Sequence, residues 1–164
     1  MEQTIIYSSP DGKYCVTLNS GVLKKLQQYA LKSPRHETGG ILTGYYADGN
    51  NAIIVDVSDK PHDSKFGATW FHRGVSGLKE LLGKKWKKKE YYLGEWHSHP
   101  GGSVQPSSND RSAMKDIANS PAYRCPKPVL VIIGGYNRLM EDISVHVMAE
   151  KQWIPLHRTH SWDP

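Results

Sequence analysis

The sequence predicts an α/β or α+β layered domain, and three observations carry that reading. Predicted helices alternate with β-hairpins along the chain. Some apolar runs are short and continuous, as at 129–134, which is the pattern of a buried strand bounded by turn residues. The 164 residues, 38% hydrophobic and 23% charged, have ordinary globular composition and suffice for one domain with a proper core, so 1–164 is expected to be a single domain.

The elements follow in order. Thr4-Ile5-Ile6-Tyr7 is strand-like, Asp11-Gly12 is a hairpin turn signal, and 13–18 is a second strand. Asn19-Ser20 caps a helix to about Leu31, in which Val22, Leu23, Leu26, Tyr29 and Ala30 recur at helical spacing. Pro34 ends it. Residues 39–46 form a central strand whose glycines permit close backbone approach, and Asp48-Gly49-Asn50 turns the chain into a strand over 52–57. A polar loop covers 58–65, and a short strand is expected at 68–71. A helix over 73–89 carries Val75, Leu78, Leu81, Leu82 and Trp86 on one side, weakened by Gly77 and Gly83. Residues 90–96 read as a short strand, Pro100 stops it, and Gly101-Gly102 turns the chain. Pro106-Ser107-Ser108 opens a helix to about Ala118. Pro126 and Pro128 break the chain before the strand at 129–134. Residues 143–149 alternate as a strand, with His146 placed to face solvent. The tail, with His157 and His160 beside Trp162, is expected to be a mobile or packed terminus.

Composition excludes some classes. No apolar run approaches the length of a membrane span, and the first residues lack the basic and apolar regions of a signal peptide. Cys15 and Cys125 then read as free core thiols, and the cytoplasm is the expected location. Much of the net charge of +5 sits in Lys84-Lys85-Trp86-Lys87-Lys88-Lys89. Such a cluster invites a nucleic-acid or acidic-partner reading, but the solvated end of an amphipathic helix explains it better, so nucleic acid is not an expected partner.

The chemistry concentrates in Glu95 to Asp110, EWHSHPGGSVQPSSND. His97 and His99 lie one residue apart at a strand end, so both imidazoles can face one ion while Ser98 turns aside. Asp110, separated from His99 by ten residues, falls in the first turn of the next helix, with Ser107 or Ser108 as its N-cap. Two imidazoles and a carboxylate are a complete protein ligand set for a catalytic zinc, which keeps a fourth position open. Glu37, just ahead of the central strand, is oddly placed as mere surface charge. Beside a zinc site it is the natural general base. His36, His62 and His72 are not expected to be ligands.

His97-Ser98-His99-Pro100, Ser107 and Asp110, with Glu37 in His36-Glu37-Thr38-Gly39-Gly40, resemble the signature of the JAMM (JAB1/MPN/Mov34) metalloproteases. Every catalytic position of that pattern is matched, over most of the chain. The resemblance implies the MPN fold, a curved mixed sheet flanked by helices with a cytidine-deaminase-like architecture. It implies one zinc per chain and hydrolysis of an isopeptide that joins ubiquitin or a ubiquitin-like protein to a lysine. In that scheme His97, His99 and Asp110 hold the metal, Glu37 moves the proton, and Ser107 stabilises the oxyanion. The run Gly94-Glu95-Trp96 and 106–111 is similar to bacterial stand-alone members of cyclic-oligonucleotide antiphage (CBASS) operons, where the protease releases a nucleotidyltransferase from its conjugate. Activating and conjugating enzymes of E1 and E2 type are the implied partners. Two alternatives stay open: a peptidase that trims the C-terminus of a ubiquitin-like or sulfur-carrier precursor, and a non-catalytic scaffold. A zinc deaminase does not fit, because two cysteines 110 positions apart cannot form its Cys-x-x-Cys.

Overall fold

The computed structural model describes residues 2–134 and 142–159. In chain order the described elements are β1 (Thr4–Ser8), β2 (Cys15–Asn19), α1 (Ser20–Leu31), β3 (Gly39–Asp48), β4 (Asn51–Val57), β5 (Lys65–Phe66), β6 (Phe71–His72), α2 (Leu78–Trp86), β7 (Tyr91–Ser98), α3 (Ser108–Asn119), β8 (Val129–Ile133), β9 (Ile143–Ala149) and β10 (Gln152–Arg158). The strands close into a barrel in the order β1-β10-β9-β8-β7-β3-β4-β2, and β5 pairs with β6 apart from it. The sheet is mixed, as the family resemblance implies: β2 and β4 are parallel, and so are β7 and β8. A parallel neighbour requires a crossover, and α3 supplies it between β7 and β8. The helix therefore returns past the end of β7, where the two histidines stand.

Helix α1 starts where Asn19 accepts a hydrogen bond from Val22 N–H at 2.8 Å. It buries Val22, Leu23, Leu26 and Ala30 against Trp96, Leu93, Val131 and their neighbours. A second core lies under α3, where Met114 and Ile117 pack on Leu130, Ile132 and Met148. Each such side chain contributes about 1.5–3 kcal/mol on burial. The two cores clamp β7 and β8 from both sides, and the continuous burial of Val129–Ile133 follows from that. Gly39 and Gly40 are required by close approach: an added Cβ would lie 2.4 Å from the Trp96 carbonyl oxygen and 2.3 Å from that of Ser58, respectively.

Four expectations need correction. The short strand expected at 68–71 is instead a hairpin, Lys65–Phe66 against Phe71–His72, closed by Gly67 N–H donating to the Trp70 carbonyl at 2.9 Å. Strands of two residues carry too little alternation to be read. The helix expected over 73–89 is confined to Leu78–Trp86, because Gly77 takes a left-handed φ of 78° before it and Arg73 is drawn into an ion pair elsewhere. The tail contains β10, which pairs with β9 and β1 and completes the barrel. Pro155 within it hides the strand signal. His157 is exposed on that strand, and His160 and Trp162 lie outside the described residues. His146 does not face solvent: it is 6% exposed, stacked on Trp153 with ring centroids 5.0 Å apart.

The thiols of Cys15 and Cys125 are free, as expected. Among the described residues no helix is long and apolar enough to cross a membrane.

Burial pushes the His146 imidazole down from 6.5 to about 4. The folded state prefers the neutral ring, so the unfolded chain binds the extra proton between those values. This contribution is complete above about pH 6.5 and is lost as pH falls toward 4, by on the order of 3 kcal/mol. Urea unfolding across this range is expected to show the stability difference between wild type and His146→Gln shrinking by that amount; parallel curves would contradict it.

Candidate metal centre

The pairing of β3 with β7 brings Glu37 to the histidines. Gly39 lies opposite His97 in the register. One step further out, Ser98 N–H donates to the Thr38 carbonyl at 2.8 Å, and Thr38 N–H donates to Ser98 Oγ at 3.1 Å. Ser98 does turn aside from the metal-facing side, and its fully buried hydroxyl ties down the residue after Glu37. Glu37 N–H donates to the Gly67 carbonyl at 2.9 Å, which couples it to the β5–β6 hairpin.

The four groups converge. Glu37 Oε1 lies 3.3 Å from His99 Nε2. Asp110 Oδ1 lies 3.3 Å from His97 Nε2, and its Oδ2 lies 3.5 Å from His99 Nε2. Glu37, His97 and His99 each offer a ligand atom within 4.8 Å of one another. Asp110 faces both imidazoles, whereas Glu37 is in ion-pair range of His99 alone. Donors bound at about 2.0–2.1 Å around a tetrahedral zinc stand roughly 3.3–3.4 Å apart, so this spacing fits a zinc ion. His97 Nε2 is buried with no hydrogen-bond partner among the described residues, as a ligand nitrogen would be. His99 Nδ1 lies 2.8 Å from the Ser103 carbonyl. That oxygen only accepts, so Nδ1 carries the proton and Nε2 offers its lone pair.

Ser107 is the N-cap of α3 and forms a capping box with Asp110. Asp110 N–H donates to Ser107 Oγ at 3.1 Å, and Ser107 N–H donates to Asp110 Oδ2 at 2.7 Å. The cap thus orients the carboxylate as well as starting the helix.

The two carboxylates are driven apart electrostatically. Burial raises Glu37 above the usual carboxylate range, and the nearby Asp110 charge adds to this against the pull of His97 and His99. Burial also acts upward on Asp110, but the adjacent His97 and His99 imidazoles and the Ser107 N–H hold it far below that range. The Asp110 carboxylate in turn raises His99, with burial opposing.

Two clefts flank this cluster. One of about 290 Å³ is lined by Glu37, Trp70, Phe71, His99, Ser107 and Asp110. The other, of about 530 Å³, runs past Phe71, Arg73, His97, Asn109, Asp110 and Tyr123. His36, His62 and His72 are exposed and outside the cluster, as expected. In the basic run, Lys85 is engaged by Asp56 at 2.7 Å and Glu90 at 3.5 Å, and Trp86 is exposed.

A supporting pair had escaped the motif reading. Glu95 stands two residues before His97, on the same side of β7. It accepts hydrogen bonds from Arg73 and from the Tyr92 hydroxyl. Arg73 also donates to the Gly74 carbonyl at 2.7 Å and to Tyr123 Oη at 2.8 Å. The alternation Glu95, His97, His99 was a signal for the carboxylate, but nothing local marks Arg73 as its partner.

Residues 19–148 match the family of prokaryotic homologs of the JAB domain. The chain belongs to this family. Among curated relatives, a protein of Enterobacter hormaechei subsp. hoffmannii named "CD-NTase/cGAS isopeptidase" is 43% identical over 80% of this chain and 73% of its own length. A Sinorhizobium fredii protein named "Probable metalloprotease y4qB" is 27% identical over 77% of this chain and 69% of its own. The solution structure of protein DSY2949 from Desulfitobacterium hafniense superposes with a TM-score of 0.59 at 18% identity, covering 88% of this chain and 89% of that one. The JAB domain thus has the MPN-type architecture expected from the signature.

Removing Arg73 leaves a buried carboxylate without its cation. Arg73→Met is expected to destabilise the JAB domain by about 3–5 kcal/mol in urea unfolding, and adding Glu95→Gln to recover part of that loss. A single variant within about 1 kcal/mol of wild type would show that the pair does not hold this segment.

Proposed function

We propose that the chain is a zinc-dependent isopeptidase of JAMM type. It removes a protein, conjugated through its C-terminus, from target lysines in the cytoplasm as part of a bacterial antiphage system. The observation that carries this reading is the division between the two carboxylates. Asp110 stays ionised and faces both imidazoles, as a ligand must; Glu37 is raised and faces the open cleft, as a general base must. The kinship with an isopeptidase and a metalloprotease supports the reaction class, and the name of the Enterobacter relative supports a conjugated nucleotidyltransferase as substrate.

His97, His99 and Asp110 would hold one zinc ion per chain. When bound, zinc acts as a Lewis acid, polarising the scissile carbonyl and making water nucleophilic near neutral pH. The two clefts seat the extended chain on either side of the scissile amide. Glu37 accepts the proton of the attacking water at its carboxylate and returns it to the leaving lysine amine. Its burial suits it to both roles, because a raised carboxyl releases the proton it has taken less readily to solvent. Ser107 Oγ accepts from Asp110 N–H, so its own proton is free to donate to the developing oxyanion. One hydroxyl therefore caps α3 and serves the reaction.

Glu37→Ala is expected to retain zinc and lose turnover by roughly 10²–10⁴-fold. His99→Ala is expected to lose zinc, measured by metal analysis of the purified chain. Equal zinc loss in both would contradict the assigned roles. In the source cell, mass spectrometry is expected to find isopeptide-linked C-termini accumulating with Glu37→Ala and not with wild type. A linear precursor accumulating instead would replace this reading with C-terminal processing.

A further inference from the structure

The segment 100–107 leads from His99 to Ser107 and is pinned at its middle by a side chain two strands away, on β9. Ser144, on β9, donates its hydroxyl proton to the Val104 carbonyl at 2.6 Å. Val104 is seated on Gly134, where an added Cβ would meet Val104 Cγ1 at 2.8 Å. The residue before Val104 is Ser103, whose carbonyl receives the His99 Nδ1 proton at 2.8 Å. The hydroxyl of Ser144 is therefore one peptide away from the group that sets the tautomer and ring orientation of His99.

His146 fixes that hydroxyl. Its Nε2 lies 3.0 Å from Ser144 Oγ. The Val104 carbonyl can only accept, so the Ser144 proton is committed to it and His146 Nε2 must be the donor. This tautomer leaves Nδ1 buried without a hydrogen-bond partner among the described residues. An apolar ring would fill the space beside Trp153 without that cost, so packing does not account for a histidine here. The same Trp153 ring lies under the Arg111 guanidinium at 5.6 Å, next to Asp110 in sequence. The β9–β10 pair thus touches both segments that present the candidate ligands.

We propose that Ser144, held in its rotamer by His146, is a positioning residue for the metal centre: it sets the 100–107 segment so that the Ser103 carbonyl orients His99. The proposal rests on the reading of His97, His99 and Asp110 as zinc ligands. Neither residue reaches the reacting atoms, so the readout is metal affinity rather than turnover.

Zinc affinity of the purified full chain, measured by competition with a chromophoric chelator, tests it. Ser144→Ala is expected to weaken zinc binding by about 10–100-fold, the range of lost outer-sphere hydrogen bonds, and Ser144→Thr to restore it. His146→Phe, which keeps the hydroxyl and the stacking but removes the donor, is expected to weaken it to a smaller extent. It also carries the test if Ser144→Ala does not fold. In metal-free protein the His99 Nδ1–H resonance is expected to lose protection from exchange in Ser144→Ala and not in Ser144→Thr. Unchanged zinc affinity in Ser144→Ala, or equal losses in the Ala and Thr variants, would overturn the proposal. A wild-type chain that binds no zinc would overturn the underlying metal reading instead, a distinct result.

Discussion

The antiparallel register between β3 and β7 is the constraint on which the site depends. With Gly39 opposite His97, Thr38 meets Ser98 and Glu37 emerges beside His99. A slip of one residue would turn every side chain of one strand to the other face and part the carboxylate from the imidazoles. Three features specify the register. The Gly39-Gly40 pair admits backbone where any Cβ would clash, the Ser98 hydroxyl accepts the Thr38 N–H, and Trp96 is fully buried against α1. The geometry of the candidate site is thus set by main-chain hydrogen bonds inside a packed core, where it is least free to vary.

The second requirement is that a helix start return to the same point. The parallel pairing of β7 with β8 demands a crossover, and α3 provides it, anchored by Met114 and Ile117 on the outer core. The Ser107 cap then aims Asp110 at both imidazoles. Two carboxylates with different surroundings result. Asp110 is stabilised as an anion by several donors, while Glu37 is buried with few. Their difference in proton affinity comes from burial and hydrogen bonding, since both begin as ordinary carboxyl groups.

Much of this is legible because most of the candidate site residues sit close together in sequence. His97, His99, Ser107 and Asp110 occupy one strand end and the helix start after it, and each has a local signal. Glu37 is legible from the resemblance and from the glycines that follow it. The barrel closure is not, because Pro155 masks β10 as a strand and closure depends on its pairing with β1, at the other end of the chain. Apolar residues at helical spacing make the segment around Arg73 look helical, yet Glu95 attracts the Arg73 side chain across the fold. Alternation with the valines points His146 toward solvent, but β10 and Trp153 cover that face. In each case the missing information is a tertiary contact made by another segment, and the periodicity of one segment cannot express it.

In the proposed site, His97, His99 and Asp110 hold zinc and leave Glu37 free to act on a proton. Anomalous diffraction at the zinc edge, from crystals of the full chain, tests this arrangement most directly. One peak per chain is expected, about 2.0–2.2 Å from His97 Nε2, His99 Nε2 and an Asp110 oxygen, with Glu37 outside bonding distance. A peak bonded to Glu37 in place of Asp110, or no peak between the two imidazoles, would contradict it.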